Sequence, residues 1–362
     1  MTWMRVIWLT AVCSFTYSAA FATVPGSNPE LDRLYEQAHQ ILADSSNGAG
    51  TETVPGLLSR ILEQDPDYAP AYVEFARFIL KRSYRFTVGG IDEYTEEGLG
   101  QAQALLDHAL ELEPDYPDSL VLYGSIAPAL DRPFLGQVAL SAARDLGSQS
   151  PWIDLSRATL WEVMGDFEAA GRSYIAVRNG AEKGSKLDIA ALDSLTRLAD
   201  TPEEAERYYR ELIELAPTSE WAHGNFAGFL MRQGRLDEAI GMARRAIALR
   251  SYTLALSTLA TALYAKAADA LLNQGNEAKA RVLFAEAAQV QYPRKRVLFE
   301  AAANDATFIA ILGLHSQGVA LDSRNERGET VLYLVIDEKN AEHVKGLFGQ
   351  FSPFSALLFS RS

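Results

Sequence analysis

Cysteine is almost absent from this 362-residue sequence, in which Cys13 is the only one. One thiol cannot form an intramolecular disulfide, so no disulfide framework holds the fold. Cys13 also lies within the first 22 residues, which we expect to be removed, and cysteine catalysis is then excluded for the mature chain. The sequence contains no N-x-S/T acceptor, so nothing points to N-glycosylation.

Basic residues are also scarce, since 33 Lys and Arg stand against 47 Asp and Glu and give a net charge of −14. Nucleic acid binding needs a basic stripe, so we expect no nucleic acid partner. The five histidines form no H-E-x-x-H motif and no metal-ligand spacing. Phosphate-binding and nucleophile-elbow motifs are missing as well. We therefore expect no enzyme activity, no cofactor and no metal.

Long apolar runs are confined to the N-terminus. Residues 1–22 carry one charge, Arg5, then an apolar run and small residues ending at Ala22. This layout is typical of a signal peptide, and we predict cleavage after Ala22 and export to the periplasm or beyond. An uncleaved anchor is the alternative, but the run is short and interrupted by hydroxyl residues. Lipoprotein sites carry a small residue directly before the lipidated cysteine. Here Val12 precedes Cys13, so we do not expect a lipid on Cys13. No later stretch is long enough to span a membrane.

A repeat of about 34 residues runs through the middle of the chain. The phrase EQDPDYAPA (63–71) returns 48 residues later as ELEPDYPDS (111–119). Small residues recur in similar apolar surroundings at successive spacings of 34, 34, 35, 34 and 41: Ala102, Gly136, Ala170, Ala205, Ala239 and Ala280. Each unit reads as two helices that approach closely at small residues, and glycines such as Gly165, Gly234 and Gly275 mark the turns.

This pattern resembles the tetratricopeptide repeat family over residues 69–294, with a degenerate unit in residues 23–68. The resemblance implies an all-α fold, a right-handed alpha-alpha superhelix. The spacing of 48 exceeds the period by fourteen residues, which we place in an insertion at about 81–98. The spacing of 41 predicts about two extra turns in the first helix within residues 251–274.

After Pro293 the period stops. Residues 295–350 resemble somewhat less than two ankyrin repeats, through Gly328, Thr330 and Leu332 and a second helix at 340–348. Fewer than two ankyrin repeats are not stable alone. We therefore expect the ankyrin-like segment to stack on the last tetratricopeptide helix. The apolar tail 351–362 is expected to cap the end of the array; binding a partner is the alternative.

Two surfaces are candidates for partner binding. In the tetratricopeptide family the first helix of each unit lines a concave groove, and this resemblance puts Trp152, Arg197, Trp221, Asn225 and Arg232 there. A near-neutral groove with aromatic anchors suits a peptide, although either tryptophan could instead pack between units. The second surface is the insertion, through its aromatic and arginine side chains Tyr84, Arg85, Phe86 and Tyr94.

The function that fits best is an exported, non-catalytic protein–protein interaction scaffold that binds a protein or peptide through the concave groove. One alternative is an accessory or regulatory subunit of a cell-envelope enzyme with a site near residues 81–98, which a cluster of titratable groups in a cleft would favour. Another is a structural spacer, which a groove filled by its own side chains would favour. The fold by itself does not identify the partner.

Overall fold

The structure is a computed structural model that describes residues 28–44, 53–86, 92–302, 307–325 and 328–331. Within these ranges the chain forms sixteen helices and one two-stranded hairpin. It divides into two compact units, Met1–Pro217 and Thr218–Ser362, and each is described on its own. The all-α class predicted from the repeat is confirmed, and β structure in the described ranges is limited to the short hairpin and an isolated bridge between Arg324 and Thr330.

Unit 1 is a stack of antiparallel helix pairs. Its elements are α1 (Pro29–Asp44), α2 (Val54–Gln64), α3 (Ala69–Ser83), β1 (Tyr84–Phe86), β2 (Asp92–Tyr94), α4 (Glu96–Leu112), α5 (Pro117–Ile126), α6 (Pro133–Asp145), α7 (Trp152–Val163), α8 (Phe167–Gly180), α9 (Lys186–Leu198) and α10 (Pro202–Leu215). Consecutive helices pack on each other, and each first helix also packs on a first helix of a neighbouring pair. Helix pairing is therefore local in sequence, as in a solenoid.

Unit 2 continues the same helix-pair pattern around one long central helix. Its elements are α11 (Glu220–Arg232), α12 (Leu236–Leu249), α13 (Thr253–Leu272), α14 (Glu277–Gln289), α15 (Arg294–Ala302) and α16 (Ile309–Ser316). At 20 residues α13 is the longest helix in the described part of the chain, which accounts for the repeat spacing of 41. Thirteen of its residues are buried, because helices pack around most of its circumference.

The helix ends follow from the local sequence. Side-chain oxygens of several N-cap residues accept a backbone N–H of the first turn: Thr95, Asp166, Ser185, Thr201, Ser219 and Asn276. The turn glycines Gly165, Gly234 and Gly275 have φ of +85°, +74° and +60°, the left-handed backbone that ends a helix. The repeat therefore places its turns where the sequence predicts them.

Small residues lie where the two helices of a pair cross. A Cβ on Gly136 would come within 2.7 Å of the Ala127 Cβ, so α6 can approach α5 only with glycine there. Ala170 and Ala239, at the same repeat position, are completely buried. Close approach at this position is the physical reason for the 34-residue spacing of small residues.

The insertion folds back on itself as the hairpin of β1 and β2, with Tyr84 paired to Tyr94 and Phe86 paired to Asp92. The Thr95 amide donates to the Ser83 carbonyl at 2.9 Å, so the hairpin returns the chain to the end of α3. Tyr94 packs into the core of unit 1 and is 9% exposed. The insertion therefore contributes to the core at its end.

The helices after Pro293 pack on the helices before them. Val297, Leu298 and Ile311 share a core with α13 and α14. A Cβ on Gly313 would lie 2.8 Å from the Ala268 Cβ and 3.3 Å from the Phe284 ring. The last described helices thus belong to the same core as the repeats of unit 2.

Several predictions fall outside the described residues. These are the signal peptide at 1–22, the second ankyrin-like helix at 340–348 and the tail at 351–362. The ankyrin resemblance, which the described helices α15 and α16 do not establish, stays a prediction. In the part of the chain that is described, no helix combines the length and the apolar character needed to cross a bilayer.

Candidate binding surfaces

Several side chains of unit 1 are buried although they lie on first helices, where the tetratricopeptide resemblance places the groove lining. Glu74 on α3, Trp152 and Leu155 on α7, and Glu162 near the end of α7 are 1%, 4%, 1% and 6% exposed. The residue type at these positions resembles a groove lining, but neighbouring helices cover the side chains. A partner therefore finds little of these predicted contacts on unit 1.

One buried polar cluster joins α1 to α3. His39 Nδ1 and Arg77 Nε each lie 3.1 Å from Glu74 Oε1, and the Tyr35 hydroxyl donates to the same oxygen at 3.5 Å. Burial acts to raise the pKa of Glu74, but Arg77 and His39 outweigh it and lower the pKa overall. Burial raises the pKa of the Tyr35 hydroxyl well above its usual value. The cluster lies inside the helix wall, where it stabilises the contact of α1 with α3.

A second buried cluster contains Arg197 and joins α7, α8 and α9. The Tyr174 hydroxyl donates to Glu162 Oε2 at 2.9 Å, and Arg197 Nη2 lies 3.5 Å from the same oxygen. Arg197 Nη1 also reaches Asp193 Oδ2 at 3.3 Å. Burial acts to lower the pKa of Arg197, but the Glu162 and Asp193 carboxylates outweigh burial and raise this pKa above its usual value. Arg197, predicted to contact a partner, is therefore engaged in holding helices together.

Trp152 also differs from its predicted role. Its indole is 4% exposed and packs in the core of unit 1, so it offers a partner almost no surface. In the insertion, Tyr94 is a core side chain, while the side chains of Tyr84, Arg85 and Phe86 lie outside the described part of the structure. The sequence alone cannot distinguish a buried aromatic residue from an exposed one, because both kinds follow the same repeat spacing.

Unit 2 presents a different first helix. On α11, Trp221 is half-buried and its ring centroid lies 4.0 Å from that of Tyr252. The Arg250 guanidinium lies 5.6 Å from the Trp221 ring and its Nη1 lies 3.3 Å from Glu220 Oε1. These neighbours hold the indole in place while part of its surface stays accessible, as a rigid aromatic anchor requires.

A glycine makes this arrangement possible. The Tyr252 hydroxyl donates to the Glu220 carbonyl at 3.2 Å and passes so close to Gly224 that a Cβ there would lie 1.7 Å from the hydroxyl oxygen. Any larger residue at this position would displace Tyr252. The ring that supports Trp221 therefore depends on Gly224.

Trp221, Asn225, Gly228 and Arg232 follow one face of α11 at helical spacing, and we call them the α11 stripe. Asn225 is half-buried and Arg232 is exposed. Within the described residues, no ion pair holds the Arg232 guanidinium. The stripe thus combines an apolar anchor, an amide and a free positive charge.

A surface that the sequence analysis missed lies on α6. Phe134, Leu135 and Val138 are 75%, 51% and 65% exposed. The repeat register of the sequence indicates this surface. Where α6 carries Phe134 and Leu135, the second helices α10 and α12 carry acidic pairs: Glu203 with Glu204, and Asp237 with Glu238. Acids suit the solvated first turn of a helix, and two large apolar residues there do not.

Neither surface resembles a catalytic or metal centre. Among the described residues, no group of three or more His, Cys, Asp or Glu side chains is placed to hold a metal ion. The titratable clusters of unit 1 are packed between helices and not at an accessible cleft. The arrangement of the described residues offers surfaces for contact.

Comparisons with known proteins agree with this architecture. The tetratricopeptide repeat family matches residues 197–250 of this chain. No curated protein sequence matches the chain.

Three solved structures illustrate the similarity. The human IFIT1 dimer with PPP-AAAA has a TM-score of 0.53 at 13% identity, covering 90% of this chain and 73% of that one. A monomeric IFIT1 mutant with Gppp-AAAA has a TM-score of 0.55 at 13% identity, with 90% and 71% covered. Yeast Tom70 has a TM-score of 0.48 at 16% identity, with 93% and 70% covered. At such identities the likeness concerns the fold. The two IFIT1 structures and the family match over residues 197–250 agree with a helical-repeat fold of the tetratricopeptide type.

Proposed function

We propose that this protein is an exported, non-catalytic scaffold that binds a protein or peptide partner through the α11 stripe. The single observation that carries the proposal is the accessible Trp221, held by Tyr252 and Arg250, in line with the exposed Arg232. An aromatic residue fixed in advance loses little conformational freedom on binding, so its contacts contribute more to affinity.

The stripe suggests the chemistry of the partner segment. An apolar side chain fits against Trp221, a backbone amide or carbonyl can pair with Asn225, and a carboxylate can pair with Arg232. From Trp221 to Arg232 the stripe spans about 16 Å along the helix, which suits a segment of a few residues. The proposal limits the predicted binding surface to this helix, because Glu74 and Arg77 on α3 and Trp152 on α7 are buried.

Two alternatives receive less support. The cluster of His39, Glu74 and Arg77 is explained by the contact of α1 with α3, so it adds nothing to an enzyme-accessory role near residues 81–98. The buried concave positions of unit 1 would suit a structural spacer, but the accessible α11 stripe would then have no use. Export remains a proposal that depends on the layout of residues 1–22.

The test is affinity capture with the mature chain, identification of the bound protein by mass spectrometry, and titration of that partner. We expect Trp221→Ala combined with Arg232→Ala to weaken binding more than tenfold, since truncated hot spots typically cost about 2 kcal/mol or more. Arg232→Glu alone should also weaken binding, and it is a purely surface change.

The matched control is Phe167→Ala combined with Arg172→Ala, which removes an exposed aromatic residue and an exposed arginine from α8. This control should bind like the parent chain, and circular dichroism should be the same for all variants. Parent-like binding by the Trp221 and Arg232 double variant would refute the α11 stripe as the site.

A further inference from the structure

Helix α13, the first helix of the pair that follows α11 and α12, carries an acid where a helix disfavours one. Asp269 lies in the last turn of α13, which ends at Leu272, and its side chain is half-buried. A negative charge there faces the negative end of the helix dipole and lowers the stability of the helix. The position of Asp269 therefore suggests a use outside α13.

Two amide side chains hold the Asp269 carboxylate in one orientation. Asn273 Nδ2 donates to its Oδ1 at 2.8 Å, and Gln274 Nε2 donates to its Oδ2 at 2.6 Å. Amides are neutral, so they fix the carboxylate and leave its charge in place. Within the described residues, no ion pair neutralises this charge.

Two lysines near Asp269 have other partners. The Lys266 ammonium, one turn earlier on α13, donates to Asp237 Oδ1. The Lys279 ammonium donates to Gln274 Oε1 at 3.3 Å, so the Gln274 amide lies between this lysine and Asp269. The carboxylate is therefore still available to a positive charge from outside the chain.

Asp269 lies on the helix next to the α11 stripe. The first helices α11 and α13 pack on each other, and the repeat spacing of 41 puts Asp269 at the position of Gly228. Gly228 has no side chain, and a Cβ built there would lie 3.7 Å from Arg232 Nη1. Unit 2 thus has a positive charge on α11 and a negative charge on α13, and in the described structure the two form no ion pair with each other.

We propose that the partner segment carries a basic residue for Asp269 close to the acidic residue that pairs with Arg232, so that the segment contacts both α11 and α13. This inference rests on the α11 stripe as the binding site. Trp221 and Arg232 are about 16 Å apart along the helix, so about five residues of extended chain separate the apolar residue of the segment from its acid. The axes of packed helices are about 8–10 Å apart, so about three residues or fewer separate the acid from the base.

The charges of the protein favour a segment with both signs over a purely acidic one. Opposite charges on neighbouring helices that leave each other unpaired are complementary to a ligand with the reverse arrangement. The net charge of −14 attracts a basic residue at long range and repels an acidic segment. Asp269 is also held in advance by Asn273 and Gln274, so it loses little conformational freedom on binding.

The test uses the mature full-length chain and a displayed library of random peptides. We expect the parent to enrich segments that combine an apolar residue, an acid and a base at these separations. One selected peptide is then synthesised and titrated. Replacing its base by glutamate should weaken binding to the parent more than tenfold, and Asp269→Lys should restore the affinity of this reversed peptide to within a few-fold.

Asp269→Asn separates recognition from local structure. This variant keeps an oxygen that accepts a hydrogen bond and loses the charge, so its thermal unfolding should be unchanged or slightly improved. Its selected segments should show no preference for a base. The matched control is Asp322→Lys, which makes the same change of charge as Asp269→Lys at an exposed acid of unit 2 and should bind the unmodified peptide like the parent.

The possible results distinguish this inference from the proposed function. Apolar and acidic segments without a base, selected alike by the parent and by Asp269→Asn, would overturn the inference and leave the α11 stripe in place. Failure of Asp269→Lys to rescue the reversed peptide, with folding verified by circular dichroism, would also overturn it. If no segment is enriched, or if Trp221→Ala with Arg232→Ala selects the same segments as the parent, the α11 stripe is wrong and the inference is wrong with it.

Discussion

At the scale of residues, buried acids decide how the helix wall is held together. Glu74 and Glu162 have arginine neighbours, Arg77 and Arg197, that neutralise their charge inside the wall. Removing one partner would leave a buried charge uncompensated, which costs far more than the pair contributes. These residues therefore serve the packing of unit 1, although their spacing resembles that of groove residues.

Glu300 in unit 2 is a half-buried acid of another kind. It accepts hydrogen bonds from the hydroxyls of Ser257, Tyr292 and Thr261, and no arginine forms an ion pair with it in the described part of the chain. Burial raises its pKa above the usual 4.5, although the hydroxyl groups oppose the rise. The charged form of Glu300 is thus held mainly by hydroxyl dipoles, and the positive charge of Arg296 makes a smaller contribution.

This difference predicts a pH dependence of stability. A carboxyl whose pKa is higher in the folded state binds its proton more tightly when folded, so stability falls as pH rises from the unfolded pKa through the folded pKa. Glu300→Gln removes the titration and keeps an oxygen that accepts hydrogen bonds. We expect the free energy of unfolding of the parent, relative to this variant, to fall as the pH rises from about 4.5 through the raised pKa of the folded state. Urea unfolding measures it, and a constant difference across this range would contradict the prediction.

At the scale of elements, close helix crossings set the repeat. Ala239 is completely buried where α12 packs on α11, and Gly136 holds the same position on α6. The length of each helix can vary, as the 20-residue α13 shows, provided that the crossing keeps its small residue. The insertion between α3 and α4 is tolerated for the same reason, since it leaves the crossing unchanged.

The crossing predicts the effect of one substitution. Ala239→Leu should overpack the contact of α11 with α12 and lower the free energy of unfolding by roughly 1–3 kcal/mol. The matched control is Gly241→Leu on the same helix, where a Cβ meets nothing within 4 Å. That control should be unchanged or slightly more stable, because glycine is a poor helix former. Thermal and urea unfolding compare the two, and equal effects would show that the repeat register is wrong.

At the scale of the whole molecule, the chain is an acidic helical-repeat protein of two compact units. Its net charge of −14 favours solubility and disfavours polyanionic partners. The layout of residues 1–22 predicts that the protein leaves the cell interior with that segment removed.

Export gives the prediction at this scale. The mature protein should begin at Thr23, because small residues precede that position as signal peptidases require. N-terminal sequencing and intact mass measurement of the exported protein test this. The mature chain should then contain no thiol, so a thiol reagent should label only the unprocessed form. A first residue of Met1, or a lipid on Cys13, would contradict the prediction.

The sequence by itself determined the fold class of this protein and the position of several of its turns. A small residue about every 34 positions and a glycine at turns such as those of Gly165 and Gly234 are local requirements, because close packing and left-handed backbone disfavour larger side chains wherever they occur. The sequence therefore places Gly165 and Gly234 at turns and predicts the extra length of α13.

Only the tertiary structure decided which of the candidate side chains are accessible. Trp152 and Trp221 occupy the same repeat position. Trp152 is nevertheless buried in a core, whereas Trp221 is half-buried beside Tyr252. Likewise Arg197 is taken up by Glu162 and Asp193, whereas Arg232 is free for a partner among the described residues. Exposure depends on the side chains that neighbouring helices bring from distant parts of the chain, and a spacing within one helix contains no information about them.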